Sequence, residues 1–144
     1  MNPLHATLIA CRVEGRWAGV LLRGVSGVGK STLTLNALRG GWRLVADDRV
    51  ILWASGGVLF GKAPQTLRAL VEARHLGVHA IAALDLSPVV AVVDLVADPP
   101  SDRVPQPATI KIDGITLALH RLHRDDVALL PKLTMIAAGS VATL

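Results

Sequence analysis

The sequence predicts an α/β fold: a mixed, partly antiparallel sheet that carries a P-loop. Three observations support that expectation. Gly24 to Ser31 reads Gly-Val-Ser-Gly-Val-Gly-Lys-Ser, set between an apolar strand-like run and a helix-like run. Strand-like segments outnumber helix-like ones and several follow one another directly, unlike the regular βαβ alternation of a parallel sheet. Asp113-Gly114 joins two apolar runs, a strong two-residue hairpin signal.

The elements follow in order. Ala6 to Val13 reads as a strand, Glu14-Gly15-Arg16 as a turn and Trp17 to Arg23 as a second strand. Ser31 to Arg39 has helix-forming residues and is stopped by Gly40-Gly41. Trp42 to Ala46 is a short strand ending at Asp47-Asp48. Arg49 to Ala54 and Val58 to Gly61 flank the turn Ser55-Gly56-Gly57. Gln65 to Glu72 has the composition of a helix, and Gly77 to Ala80 is extended. Val89 to Leu95 is apolar and β-branched, as a central strand would be. A loop over Asp98 to Asp102 precedes the hairpin strands Thr109 to Ile112 and Ile115 to Leu119. Ala128 to Ala138 is the last helix.

The chain has 144 residues, enough for one domain over 1–144 with its own core. Hydrophobic residues make up 51% of it and mean hydropathy is +0.49, which argues against disorder. The longest apolar region, Ala80 to Ala97, is interrupted by Asp85, Ser87-Pro88 and Asp94, so no membrane span is expected. No signal peptide is evident, and Cys11 is the only cysteine, which fits a reducing cytoplasm. The net charge of +4 comes from scattered arginines without interleaved rings, so nucleic acid is not an expected partner.

The glycine loop has a mechanism. Gly24, Gly29, Lys30 and Ser31 fill every fixed position of the P-loop pattern. The backbone N–H groups of Gly24, Val25, Ser26, Gly27, Val28 and Gly29 would wrap an anion, and the following helix adds its positive N-terminal end. Lys30 would reach the β- and γ-phosphates of ATP, and the Ser31 hydroxyl would ligate Mg²⁺. Asp47 and Asp48 form a second cluster at the end of an apolar strand. Adjacent strand residues face opposite ways, so one carboxylate could face Mg²⁺ and the other a substrate hydroxyl. Val89 to Asp94 offers a rival: an apolar strand ending in Asp94, in the manner of a Walker B aspartate. His75 and His79 are four apart, but Gly77 between them argues against a helical zinc site.

The P-loop, Leu44-Val45-Ala46-Asp47-Asp48 and the stretch Leu70 to Val78 together resemble the catalytic domain of bacterial HPr kinase/phosphorylase. The likeness runs from His5 to about Arg124. It implies a fold resembling phosphoenolpyruvate carboxykinase. It also implies an enzyme that uses ATP and Mg²⁺ to phosphorylate a serine of HPr, a phosphocarrier of the sugar phosphotransferase system. Reversal would be by attack of inorganic phosphate on the phosphoserine. Residue by residue, the resemblance makes Lys30 the P-loop lysine, Ser31 and Glu72 Mg²⁺ ligands, and Asp48 the base towards serine. Asp47 is left for the metal. Arg74 lies in the stretch tied to both activities, His5 matches the histidine that opens the first strand, and Arg103 is the best match for a catalytic arginine. A cytoplasmic homo-oligomer, commonly a hexamer, is implied as well.

The departures bear on activity. Thr32 stands where the family often has an acidic residue, and His75 replaces the first glycine of an Arg-Gly-Leu-Gly element. The arginine-rich stretch linked to phosphorolysis has Leu119 to Arg124 as its nearest counterpart, without the proline and glycine that shape it. Kinase activity is therefore expected, with phosphorylase activity weak or absent. The chain is expected to be the short form found in some proteobacteria. Two other readings stay open: a small-molecule kinase or ATPase using Asp94, and a nucleotide-binding regulatory module without catalysis.

Overall fold

The computed structural model describes residues 3–24, 30–65, 70–73, 77–80 and 83–142, with side chains at all of these except 30–32, 70–73, 77–80 and 141–142. The strands are β1 (Leu4–His5), β2 (Thr7–Val13), β3 (Arg16–Arg23), β4 (Arg43–Ala46), β5 (Arg49–Ser55), β6 (Val58–Lys62), β7 (Leu70–Ala73), β8 (Gly77–Ala80), β9 (Ser87–Val96), β10 (Ala108–Ile112) and β11 (Ile115–His123). The helices are α1 (Lys30–Arg39) and α2 (Leu129–Ala142).

Among the described residues the main sheet has nine strands. Strand β9 is its axis. It runs parallel to β3 on one side and, along its second half, parallel to β11 on the other. At Ser87-Pro88 that second side is taken instead by β6, running antiparallel. Strand β2 is antiparallel to both β3 and β4, and β5 pairs with β6 and with the short β1. The sheet is therefore mixed, as the adjacent strand-like segments predict.

Burial on both faces explains the composition of the central strands. Thr7 to Cys11 and Ala18 to Leu22 are buried without a break, because neither face of β2 or β3 meets solvent. On one face Ile9, Val20, Leu22, Leu44 and Val93 pack with Leu33 and Ala37 of α1 and Leu133 and Ala137 of α2. On the other, Leu8, Leu21, Val45 and Val92 pack with Val50, Leu59 and Leu117 as the sheet curls over itself. The crossing of β3 and β9 is tight: a Cβ on Gly19 would lie 2.4 Å from the Pro88 carbonyl oxygen. The ladder shifts register at that point, between Gly19 and Val20.

Helix α1 ends as its glycines predict. The Trp42 N–H reaches back to the Ala37 carbonyl at 3.0 Å, closing a Schellman turn, and Trp42 packs in the same cluster as Ala37.

One expectation fails. Helix-forming composition over Gln65 to Glu72 predicts a helix, yet Leu70–Ala73 is a strand that pairs antiparallel with Gly77–Ala80. Residues 66–69 lie outside the described set. Helix propensity is a weak local preference of a few tenths of a kcal/mol per residue, and cross-strand pairing of Val71 with His79 overrides it. Two boundaries also move. Strand β11 continues past Leu119 to His123 because β9 offers a parallel partner as far as Val96. Helix α2 runs from Leu129 to Ala142 rather than Ala128 to Ala138.

Candidate active site

Strand directions bring the chemistry to one edge of the sheet. Antiparallel pairing of β2 with β3 puts Thr7 opposite Leu22, beside Arg23 and Gly24. Antiparallel pairing of β2 with β4 puts Leu8 opposite Ala46, so Asp47 and Asp48 leave β4 at the same edge. Parallel pairing of β3 with β9 puts Asp94 opposite Arg23. This edge is the carboxyl end of the parallel strands, where open α/β sheets bind ligands. Adjacent strands are about 4.8 Å apart, so β4 stands roughly 10 Å across the sheet from β3.

Between β3 and α1 the sequence holds the glycine-rich segment. Gly24 is half-buried at the end of β3, and α1 begins at Lys30. The described strand and helix thus flank residues 25–29 in the order that a phosphate-binding loop requires. Val25, Ser26, Gly27, Val28 and Gly29 lie outside the described residues, as do the side chains of Lys30 and Ser31. Arg74 lies outside them too. Glu72 is on β7, which lies against α1, but its side chain is outside the described set.

The turn after β4 is the best-defined part of the site. The Arg49 N–H donates to the Asp47 carbonyl at 2.8 Å, closing a three-residue turn with Asp48 at its centre. Asp48 has φ 69. Such a γ-turn is rare, and an L-residue held there costs of order 1–3 kcal/mol. Among the described residues, Glu14, Asp48 and Asp113 are the non-glycine positions with positive φ. Glu14 and Asp113 open two-residue hairpin turns, which demand that conformation. Asp48 opens none, so its geometry is a property of the site.

Several neighbours hold this turn. The Ala6 N–H donates to the Asp48 carbonyl at 3.1 Å. The Thr7 hydroxyl donates to Asp47 Oδ1 at 3.1 Å, and the Asp48 N–H points to Thr7 Oγ1 at 3.5 Å. His5 Nδ1 lies 3.3 Å from Asp48 Oδ1, with the two side chains 54% and 63% exposed. Asp48 is therefore fixed through its backbone and open to solvent through its carboxylate.

The other carboxylate at this edge is differently placed. Arg23 Nε donates to Asp94 Oδ1 at 2.7 Å and Arg23 Nη2 to Asp94 Oδ2 at 3.0 Å. Both oxygens of Asp94 are engaged by one guanidinium in the bidentate geometry that makes such pairs strong.

Arg103 is on the loop between β9 and β10. That loop leaves β9 at the active edge and rejoins the sheet at Ala108, which pairs with Leu119, the middle residue of β11. Arg103 itself is exposed and bonds to no other described residue. The counterpart of the arginine-rich stretch is mostly strand: Leu119 to His123 lie in β11, with Arg121 opposite Asp94. His120 is half-buried there, and loss of hydration lowers its pKa below the usual imidazole value. Among the described residues, no group of three His, Cys, Asp or Glu side chains could hold a metal ion, and no helix is long and apolar enough to cross a membrane.

Strand pairing brings His5, Asp47, Asp48 and Gly24, all named from the sequence, to one edge, together with Thr7 and Arg23, which sequence reasoning misses. A threonine two residues after His5 and an arginine just before the first glycine were the available signals. Neither residue type points to a role until the strand register is known.

A family model described as HPr Serine kinase C-terminal domain matches residues 3–85. The HPr kinase/phosphorylase of Lactobacillus acidophilus is 44% identical over 78 residues, 54% of this chain and 23% of that protein. That of Limosilactobacillus reuteri is 48% identical over 84 residues, 58% of this chain and 25% of that protein. The chain thus spans about a quarter of the length of the curated relatives it matches. A solved structure of the Hpr(Ser) kinase/phosphatase from Coxiella burnetii superimposes with a TM-score of 0.81 at 21% identity, covering 99% of this chain and 98% of the other. At that identity the likeness speaks for the fold.

Proposed function

The chain belongs to the HPr serine kinase C-terminal domain family, and from that premise we propose that it is an ATP-dependent protein serine kinase. Its substrate on this reading is HPr or an HPr-like phosphocarrier protein. One observation supports the reading most: the Asp48 carboxylate, backbone-fixed and solvent-open beside His5, about two strand spacings from the strand that enters the glycine loop.

The residues fit the groups that such chemistry needs. A helix starting at Lys30 directly after a glycine loop suits a polyphosphate. Lys30 would contact the phosphates, while Ser31, Glu72 and Asp47 would hold Mg²⁺. Mg²⁺ when bound neutralises charge on the transferred phosphoryl group. Asp48 would accept the proton of the incoming serine hydroxyl, and His5 would orient the Asp48 carboxylate. Arg74 and Arg103 would complete the charge around the phosphates. A single domain over 1–144, a phosphoenolpyruvate carboxykinase-like kinship, a cytoplasmic location and a hexameric assembly belong to the same proposal.

The alternative with Asp94 as a Walker B aspartate is less well supported, because both oxygens of that carboxylate are already taken by Arg23. A second activity, phosphorolysis of phosphoserine, is proposed to be weak. The stretch that would supply its shaped loop is ladder-bound strand as far as His123.

Incubating the chain with ATP–Mg²⁺ and purified HPr, followed by phosphopeptide mass spectrometry, tests the kinase. Phosphoserine should form with the native chain and not with Lys30→Ala, which removes a charge-assisted phosphate contact. Equal turnover by Lys30→Ala would refute it. Pyrophosphate release from phospho-HPr and inorganic phosphate should stay far below the forward rate.

A further inference from the structure

We propose that Thr7 is a positioning residue, its buried hydroxyl clamping the strained Asp47–Asp48 turn so that the Asp48 carboxylate keeps its aim. The inference rests on the kinase reading only for what Asp48 does; the clamp itself rests on geometry.

Thr7 is 0% exposed, so it cannot touch a protein substrate. A buried hydroxyl without partners is costly, and a valine of the same shape would suit a strand interior better. The hydroxyl is kept at a place where it has specific work. It donates to the Asp47 carboxylate and faces the Asp48 N–H as acceptor. One side chain thus grips both halves of the acidic pair, one through its side chain and the other through its backbone.

The local ladder makes that grip necessary. Strands β2 and β4 pair at Leu8 and Ala46, and the register shifts between Leu8 and Ile9. Beyond Ala46 the chain turns away from ladder geometry, and the Arg49 N–H bends back to Asp47 instead. A turn with Asp48 at φ 69 relaxes unless its surroundings over-determine it. The Ala6 N–H on the Asp48 carbonyl supplies one restraint, and the Thr7 hydroxyl supplies the others from the adjacent position of the same chain segment. His5, two residues before Thr7, then meets the carboxylate that this clamp presents. Segment 5–7 is thus one unit that sets both the backbone and the side chain of Asp48.

The test compares Thr7→Val, which deletes the hydroxyl at constant shape, with Thr7→Ser, which restores it. Phosphorylation of HPr by ATP–Mg²⁺ is the activity measured. Thr7→Val should lower kcat about 10- to 100-fold, as misplacement of a reacting group does, while KM for ATP changes little. Thr7→Ser should recover most of the rate. In the Asp48→Asn background, Thr7→Val should add no further loss, and a full multiplicative loss there would overturn the proposal. Amide hydrogen exchange at Asp48 supplies a readout independent of catalysis. In the native chain that amide should be protected, and in Thr7→Val it should exchange at least tenfold faster. Unprotected exchange in the native chain, or unchanged exchange in Thr7→Val, refutes the clamp even if Thr7→Val folds poorly. If Asp48→Asn turns over like the parent while the exchange results hold, the base assignment fails and the clamp stands.

Discussion

Strand β3 is flanked by two carboxylates held in opposite ways. On the β9 side, Asp94 gives both oxygens to Arg23 and is 28% exposed. On the β2–β4 side, Asp48 is tied by its backbone to Ala6 and by the turn to Arg49, while its carboxylate is 63% exposed beside His5. The first arrangement spends the functional group on joining two strands. The second spends the backbone and leaves the functional group free. A carboxylate that must accept a proton needs the second arrangement, because a fixed bidentate pair with arginine occupies both oxygens and blocks access to them. The sequence pattern alone, an apolar strand ending in aspartate, describes both residues equally well.

Paired substitutions break or sharpen that contrast. Asp48→Asn should have the largest effect, lowering kcat for HPr phosphorylation by about 10²–10⁴ with ATP affinity nearly unchanged, as loss of a general base does. Asp94→Asn should lower it less than about tenfold, since Asp94 has no free oxygen to lose. Steady-state kinetics on both variants decides the matter, and a reversed ranking would hand the role to the β9 side. His5→Gln comes next, with a fall in kcat of roughly tenfold, because on the proposed mechanism the imidazole would orient the carboxylate without itself taking the proton. Its effect on stability should be under about 0.5 kcal/mol, since exposed pairs contribute little.

The third effect inverts the ranking. Asp94→Asn should cost about 1–2 kcal/mol of stability, by leaving the Arg23 guanidinium without its ionised partner between β3 and β9. Thermal unfolding should drop by roughly 3–8 °C. Asp48→Asn should leave the unfolding temperature nearly unchanged or raise it slightly. A clear destabilisation by Asp48→Asn would mean that the carboxylate, and not only the backbone, holds the turn.

What could be read from sequence follows the same division. The strand before the glycine-rich segment, the helix after it and the turn at the acidic pair were legible, because each depends on local chemistry: apolar runs, helix-forming composition and turn-forming residues. Asp113-Gly114 announced its hairpin for that reason. Strand β7 was not legible, because helix-forming residues at 65–72 give way to a ladder with Gly77–Ala80 that composition does not reveal. The roles of Arg23 and Thr7 were hidden for a similar reason. Their partners are 71 and 40 residues away in sequence. Only the order of strands β9, β3, β2 and β4 makes them neighbours.

The smallest effect concerns the β9 side again and its pH dependence. His120 on β11 stands opposite Val93 of β9, and burial holds its pKa below the value of about 6.5 for a free imidazole. The unfolded chain therefore takes up a proton as pH falls through about 6.5, and the folded chain resists it. The unfolded state binds more protons in that window, so stability rises with pH there. This contribution is fully present above the unfolded value and is lost on acidification. Asp126 has the opposite dependence on charge: Lys132 and the Ala128 N–H hold its carboxylate below the usual range, so its contribution is present above the unfolded value of about 3.8 and fades only at lower pH. The two windows do not overlap between pH 5.5 and 7.5. Denaturant unfolding across that range should show His120→Gln losing less stability on acidification than the parent chain, while HPr phosphorylation at pH 7.5 is unchanged. Identical slopes for the two proteins would mean that His120 is as well hydrated in the fold as outside it, and that β11 packs less closely on β9 than its register with Asp94 and Val93 implies.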